Sequence, residues 1–225
     1  MELNADFTKR AIVHSQGIPW TPSPLPGVER RMLDRIGEEV ARATTIVRYA
    51  PGSSFSAHTH DGGEEYLVLE GVFQDEHGNF PVGTYVRNPP TSRHTPRADS
   101  GAVILVKLWQ FDPEDRHHQS TDTLSMKPIL VKPGVAEIPL YRDNRERVRI
   151  EEWSAESEIE ISGHLGFEAL VLDGEFDLDG ETFGQHSWVR LPPNDHAKVR
   201  VGDQKVRLWI KSDHLSVAQT APGRN

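Results

Sequence analysis

Short apolar runs separated by turn residues recur along the whole chain. ATTIVRY (43–49), EYLVLEGVF (65–73), GTYVRN (83–88), AVILVKLWQF (102–111), FEALVLDGEF (167–176), SWVRL (187–191) and KVRLWIK (205–211) are rich in β-branched and aromatic residues. Between them stand PG at 51–52, DGG at 61–63, HGN at 77–79, NPP at 88–90, SG at 100–101, DG at 173–174 and PPN at 192–194. Many short strands punctuated this often predict an all-β sandwich or barrel. Helical spacing is confined to VERRMLDRIGEEVA (28–41), where Gly37 weakens it. The proline-rich stretch IPWTPSPLPG (18–27) reads as an extended arm laid across a sheet, anchored by Trp20.

The pattern occurs twice. EEYLVLEGVF (64–73) matches FEALVLDGEF (167–176), YVRNPPTSRH (85–94) matches WVRLPPNDH (188–196), and VKLWQ (106–110) echoes VRLWI (206–210). One β unit is therefore expected in two copies. The expected division is an N-terminal arm over 1–37, a first unit over 38–113, a linker over 114–130 and a second unit over 131–225. His117 and His118 fall in the linker and read as linker residues.

Composition narrows the chemistry. The 225 residues suffice for two small units with real cores. No run of about 18 apolar residues exists, so no membrane span is expected. The N-terminal stretch lacks the apolar core of a secretory signal, and a cytoplasmic setting is the expectation. A net charge of −9 argues against gripping nucleic acid. Eleven histidines and no cysteine rule out disulfides and thiolate ligands, so any metal sits on nitrogen and oxygen.

The histidines concentrate in AHTHDGGEEYLVLEG (57–71). Alternate residues of a strand share a face. His58 and His60 therefore point the same way, and the Gly62–Gly63 turn can return Glu64 to them. Glu65 has the wrong parity. His94 follows the next hairpin and the Pro89–Pro90 turn, and a neighbouring strand can present it to the same place. Three imidazoles and a carboxylate suit one divalent first-row ion. Tyr66, Phe55, Tyr85 and Arg87 are candidates for the cavity lining, each equally open to plain packing or a surface position, and an arginine in the lining would favour an anionic or carbonyl-bearing ligand. His14 and His77 read as exposed loop residues, while His186 and His214 have no partner pattern.

These residues resemble the cupin family. Its first motif is glycine, five residues, His-x-His, three or four residues, Glu, six residues, glycine; Gly52, His58, His60, Glu64 and Gly71 fit throughout. In the second motif Gly83, Pro89 and His94 fit, while Thr91 and Ala98 replace a glycine and an asparagine. The resemblance implies two tandem jelly-roll (double-stranded β-helix) barrels and metal ligation by His58, His60, Glu64 and His94. Residues 40–111 are more closely similar to the cupin domain of ChrR-type zinc-binding anti-sigma factors. That likeness implies zinc and a regulatory role in stress or transcription. It departs at the helical, cysteine-containing domain that grips the sigma factor in those proteins, for which no counterpart is expected here because the 225 residues hold no cysteine.

Aligned on Gly71 and Gly174, the second copy puts Ile161, Gly163 and Phe167 where the first has His58, His60 and Glu64, with His196 opposite His94. A shifted set of His164, Glu168 and His196 would need a bulge to turn Glu168 inward. The second barrel is thus expected to be structural, with one ion per chain. Zinc in a filled four-ligand site would suit sensing. Iron, nickel or manganese with open positions would suit a dioxygenase acting on a diketone, enol or flavonol-like substrate. The partners expected are a small molecule or a protein at the first barrel, and a second copy in a homodimer.

Overall fold

A computed structural model describes residues 1–215. The described chain divides into two compact units, one of Met1–Ala5 with Pro19–Leu124, the other of Asp6–Ile18 with 125–215. The last residues of the expected second unit, 216–225, lie outside the described residues. Regular structure is almost entirely strand, with one 3-10 turn at Ser15–Gly17. Among the described residues no helix is long and apolar enough to cross a membrane.

Each unit is built on the same strand order. In the first, Ala41–Tyr49, Ala102–Leu108, Glu64–Asp75 and Thr84–Asn88 are successive antiparallel neighbours. In the second, Arg147–Trp153, Val206–Ser212, Phe167–Asp173 and Ser187–Leu191 follow that order. A smaller sheet faces each: His58–His60 with Ser92–His94, and Glu158–Gly163 with Asp195–Val201. Even the irregularities repeat. The long central strand carries a register shift before Gly71 in the first unit and before Gly174 in the second. Both glycines have positive φ, 69° and 77°.

The stretch that reads as a helix is a strand, Val28–Gly37, paired along Ala41–Tyr49. Tertiary pairing overrides its helical spacing because both strands bury a face. Gly37, with φ of 119°, makes the tight return; a Cβ there would lie 2.5 Å from the Val40 carbonyl. The segment 1–37 is likewise no single arm. Glu2–Leu3 and Thr21–Pro22 pair with Val28–Gly37, whereas Ala11–His14 pairs with Ser187–Leu191 in the second unit. Trp20 is half-buried, and the guanidiniums of Arg31 and Arg48 each stack 4.3 Å from its ring. Within the expected linker, Gln119–Asp122 pairs with Thr84–Asn88 as a strand of the first unit.

The interiors differ. Trp153, Ile161, Phe167, Phe176, Phe183, Leu191, Ala197 and Leu208 belong to a continuous apolar core in the second unit. The first unit's core of Val28, Val47, Tyr66, Val68, Phe73, Val86, Ile104 and Val106 gives way to polar side chains at one end.

The repeated glycines give a stability test. At Gly71 an added Cβ would lie 2.2 Å from the Gly101 carbonyl oxygen, and at Gly174 it would lie 2.4 Å from that of Lys205. Gly71→Ala and Gly174→Ala should each destabilise by about 2 kcal/mol or more, from strain at positive φ plus a backbone clash. Gly17→Ala, where no atom lies within 4 Å, should stay within about 0.5 kcal/mol. Thermal unfolding followed by circular dichroism compares the three.

Candidate metal centre

Two short strands and one turn assemble the site. His58–His60 pairs antiparallel with Ser92–His94 so that His94 lies opposite His58. Alternation puts His60 on the same face. Gly63 then closes a turn by donating its N–H to the His60 carbonyl at 3.2 Å. The glycines are needed there: a Cβ on Gly62 would lie 2.2 Å from the Trp109 ring, and one on Gly63 would lie 2.5 Å from that of Phe111. Glu64 opens the next strand, buried, with Asn88 as its cross-strand partner. Opposite, Thr91 occupies the motif's glycine position with φ of 74° and donates to the His60 carbonyl at 2.9 Å. Its backbone meets the turn's demand at the cost of strain for a β-branched residue.

The donor atoms converge. His60 Nε2 lies 2.9 Å from His94 Nε2, and Glu64 Oε2 lies 3.4 Å from the first and 3.7 Å from the second. His58, His60 and His94 each offer a nitrogen within 4.8 Å of the others, and the His58 ring centroid is 4.8 Å and 5.0 Å from the other two. With metal–ligand bonds of about 2.1 Å, two ligands sit about 3.0 Å apart at a right angle and about 3.4 Å apart at the tetrahedral angle. The separations among His60, His94 and Glu64 are close to those of atoms around one ion, and His58, with a nitrogen within 4.8 Å of the other two imidazoles, completes a cluster that could bind a metal.

A second layer aims these groups. His94 Nδ1 contacts Asp75 Oδ2 at 3.2 Å, leaving Nε2 for the centre. His58 Nδ1 lies 3.1 Å from the Ser56 carbonyl. Asn88 Nδ2 donates to Glu64 Oε2 at 3.1 Å. A carboxylate behind a ligating imidazole fixes its tautomer and raises its basicity. Asp75 and Asn88 are absent from the sequence reading. Asn88 could have been found from the strand pairing, since it faces Glu64; Asp75 lies beyond the bulge, where parity counting fails.

The electrostatics fit ligation. Burial pushes the Glu64 carboxyl up, yet His60, His94 and the Asn88 amide together hold it below its ordinary value, so it is charged. Burial pushes the His60 imidazole down, opposed by Glu64, and it is neutral near pH 7. For His94 burial acts downward, but the Asp75 hydrogen bond and Glu64 raise its pKa above the ordinary value.

Of the four candidate lining residues, Phe55 borders a cavity of about 160 Å³ that opens on His58, His60 and Glu64. Tyr66 is buried on the inward face among Phe73 and Phe80, as part of the core. Tyr85 and Arg87 point the other way. The Tyr85 hydroxyl donates to Glu65 at 2.7 Å, and Arg87 lies 2.8 Å from Asp115 and 4.3 Å from the Phe111 ring. The register Asn88↔Glu64 and Val86↔Tyr66 makes this necessary, because the residues between must occupy the outer face. Arg30, Arg35, Thr45, Val47 and Tyr49 line the cavity instead.

The second unit brings no such set together among the described residues. Ile161 faces Ala197 inside the core, so Ala197 stands where the first unit has His94. His196 is one residue out of phase, opposite Ser162, and exposed. His164 is exposed too. Glu168 is buried on the outer face, bonded to Trp188 Nε1 at 2.7 Å and to His214 Nε2 at 2.9 Å. His214 thus has a carboxylate partner, as does His14, which lies 2.7 Å from Glu181 and 3.0 Å from Ser187. His186 is buried with φ of 60°. The rings of His77 and His118 lie 6.5 Å apart, and His117 is exposed.

Residues 8–112 match the ChrR cupin-like domain family. Residues 8–112 thus carry a cupin-like domain, and the chain has the cupin fold. Solved structures share the fold at low sequence identity. A glyoxylate-induced protein from Pseudomonas aeruginosa superposes with a TM-score of 0.72 and 14% identity, covering 95% of this chain and 92% of its own. A dioxygenase-like protein from Nostoc punctiforme gives 0.67 and 12% over 100% and 86%. A point mutant of Bacillus subtilis oxalate decarboxylase gives 0.64 and 12% over 91% and 78%. No curated protein sequence matches. The chain covers most of each of these structures, and the candidate centre lies within residues 8–112.

Removing a ligand should separate the two units. His60→Ala should take bound metal from near one per chain toward zero, and His196→Ala should leave it unchanged, both read by elemental analysis. Asp75→Asn should weaken metal binding by roughly 10- to 100-fold. Binding must displace the proton on His94, whose pKa is raised, so affinity should fall as pH drops through that raised value. Metal titrations from about pH 8 down to mildly acidic pH check the sign; affinity that is flat or rises on acidification contradicts it.

Proposed function

We propose that this cupin is a metal-dependent regulatory protein whose first unit holds one zinc ion on His58, His60, Glu64 and His94 and responds to a small molecule in the adjoining cavity. The observation that carries the reading is the convergence of three imidazoles and one charged carboxylate beside that cavity. Nitrogen and oxygen donors without sulfur suit zinc as well as iron, nickel or manganese. The match to the ChrR cupin-like domain family over 8–112 is in line with the resemblance to zinc-binding anti-sigma factors, and that resemblance is what favours zinc and a stress- or transcription-linked role. The bound ion would act as a Lewis acid. The chain's own groups do the rest: Asp75 orients His94, Asn88 orients Glu64, and Phe55, Val47, Val106 and Leu108 keep one side of the cavity apolar.

The cavity also supports a second reading. A closed structural zinc site has no need of a pocket at its ligands. A metal-dependent dioxygenase acting on a small diketone, enol or flavonol does, and Glu64 would then be placed to accept a proton from the substrate. Elemental analysis of tag-free protein, combined with oxygen uptake, separates the two. Stoichiometric zinc without oxygen uptake on β-diketones or flavonols is the expected result. Iron or nickel with oxygen consumption would replace the regulatory reading with the enzymatic one.

A homodimer belongs to the proposal. Ile129–Lys132 is an edge strand whose Ile129, Leu130 and Val131 are 64%, 72% and 51% exposed. Unpaired edges of this kind invite strand pairing. Light scattering should report twice the chain mass, and Leu130→Lys should shift it toward one.

A further inference from the structure

The cavity beside the imidazoles has a second wall that metal ligation does not explain. Along Val28–Gly37, Arg30 lies opposite Val47 and Met32 opposite Thr45. A register shift between Met32 and Asp34 then inserts one residue, after which Arg35 lies opposite Ala43. Ala43, Thr45 and Val47 share one face of their own strand by alternation. The bulge therefore turns Arg35 onto the face that Arg30 already occupies; without the extra residue, an even and an odd position would point apart. Arg30 and Arg35, with Glu39 beside them, line the cavity that His58, His60 and Glu64 also line.

These cations are poorly compensated. Arg35 is 6% exposed, and it donates to the backbone carbonyl of Glu38 and, at 3.5 Å, to that of Glu39. No carboxylate forms an ion pair with it among the described residues. Arg30 donates to Ser23 Oγ at 2.5 Å and lies 3.9 Å from Glu39, whose side chain is largely exposed. Burial, and then the charge of Arg30, push Arg35 below its ordinary pKa, against the pull of Glu39 and Glu38. A protein of net charge −9 has placed two neighbouring cations on a partly apolar cavity wall. Burying charge without a partner is costly, and an anion entering the cavity would supply the partner.

We propose that this cavity is a receptor for a small carboxylate, clamped at its charged end by Arg30 and Arg35 with its other end toward the imidazole cluster. The planar guanidinium fork matches two carboxylate oxygens. The volume of about 160 Å³ falls below the roughly 300–1,000 Å³ of drug-sized sites, so the occupant is small. Val47, Val106, Leu108 and Phe55 strengthen the charge pairing by excluding water. The proposal rests on the metal reading above only for the inner end of the ligand.

The test uses the full chain loaded with Co²⁺, whose visible absorption reports changes around the ion, titrated with pyruvate and with its neutral counterpart pyruvamide. Pyruvate is expected to bind saturably and at least tenfold more tightly than pyruvamide. Arg30→Gln and Arg35→Gln should each weaken pyruvate about tenfold or more while cobalt stoichiometry stays intact. Equal pyruvate affinity in the parent and both variants, or equal affinity for pyruvamide, overturns the carboxylate receptor and leaves the metal reading standing. Inorganic phosphate binding more tightly than pyruvate overturns it as well. If cobalt does not bind, the metal reading fails. Calorimetry of the metal-free chain then decides the arginine wall: arginine-dependent pyruvate binding supports it, and its absence overturns it. If the Arg35 variant does not fold, Arg30→Gln, at a partly exposed position, carries the comparison alone.

Discussion

The candidate centre exists because His94 faces His58 and not a neighbour of His58. In an antiparallel pair, a slip of one residue moves every side chain to the opposite face. The first unit holds the register that brings three imidazoles and Glu64 together, with His94 and Glu64 buried, His60 partly buried and His58 at the exposed rim. The second unit shows the alternative within the same chain, because there His196 stands opposite Ser162, faces outward, and leaves Ala197 within the core. A barrel of one strand order can thus house a donor cluster or an apolar plug. Which of them it houses is set by pairing phase as much as by residue type.

The turns enforce that phase. Gly62 and Gly63 let the chain reverse beneath Trp109 and Phe111, so that Glu64 begins its strand beside His60. Thr91 does the same from the other strand in a strained backbone conformation. Asp75 and Asn88 then hold His94 and Glu64 from behind. The donors are therefore aimed from the folded scaffold, as a functional site needs if its ligands are to be held at fixed angles.

The strands, the repeat and the donor residues could be read in the sequence because each follows a period-two or motif spacing that survives without knowledge of partners. What could not be read depended on register. Tyr85 and Arg87 sit near the right elements, but only the pairing of Asn88 with Glu64 shows that they face outward. Val28–Gly37 carries charges at helical spacing, yet its Asp34 and Arg35 are buried in a sheet, and the bulge that redirects Arg35 leaves no signature in a single sequence. His196 looked equivalent to His94 because a dropped residue in the turn shifts the strand without disturbing the surrounding match.

The two interiors carry different thermodynamic obligations. Trp153, Phe167, Phe176 and Phe183 fill the second interior with apolar surface, the Trp153 indole N–H donating to Glu151. The first interior keeps ionisable groups crowded at one end, where Glu64 and Asp75 both act on His94. On the metal reading proposed above, loss of the ion would loosen the first unit and leave the apolar interior of the second intact.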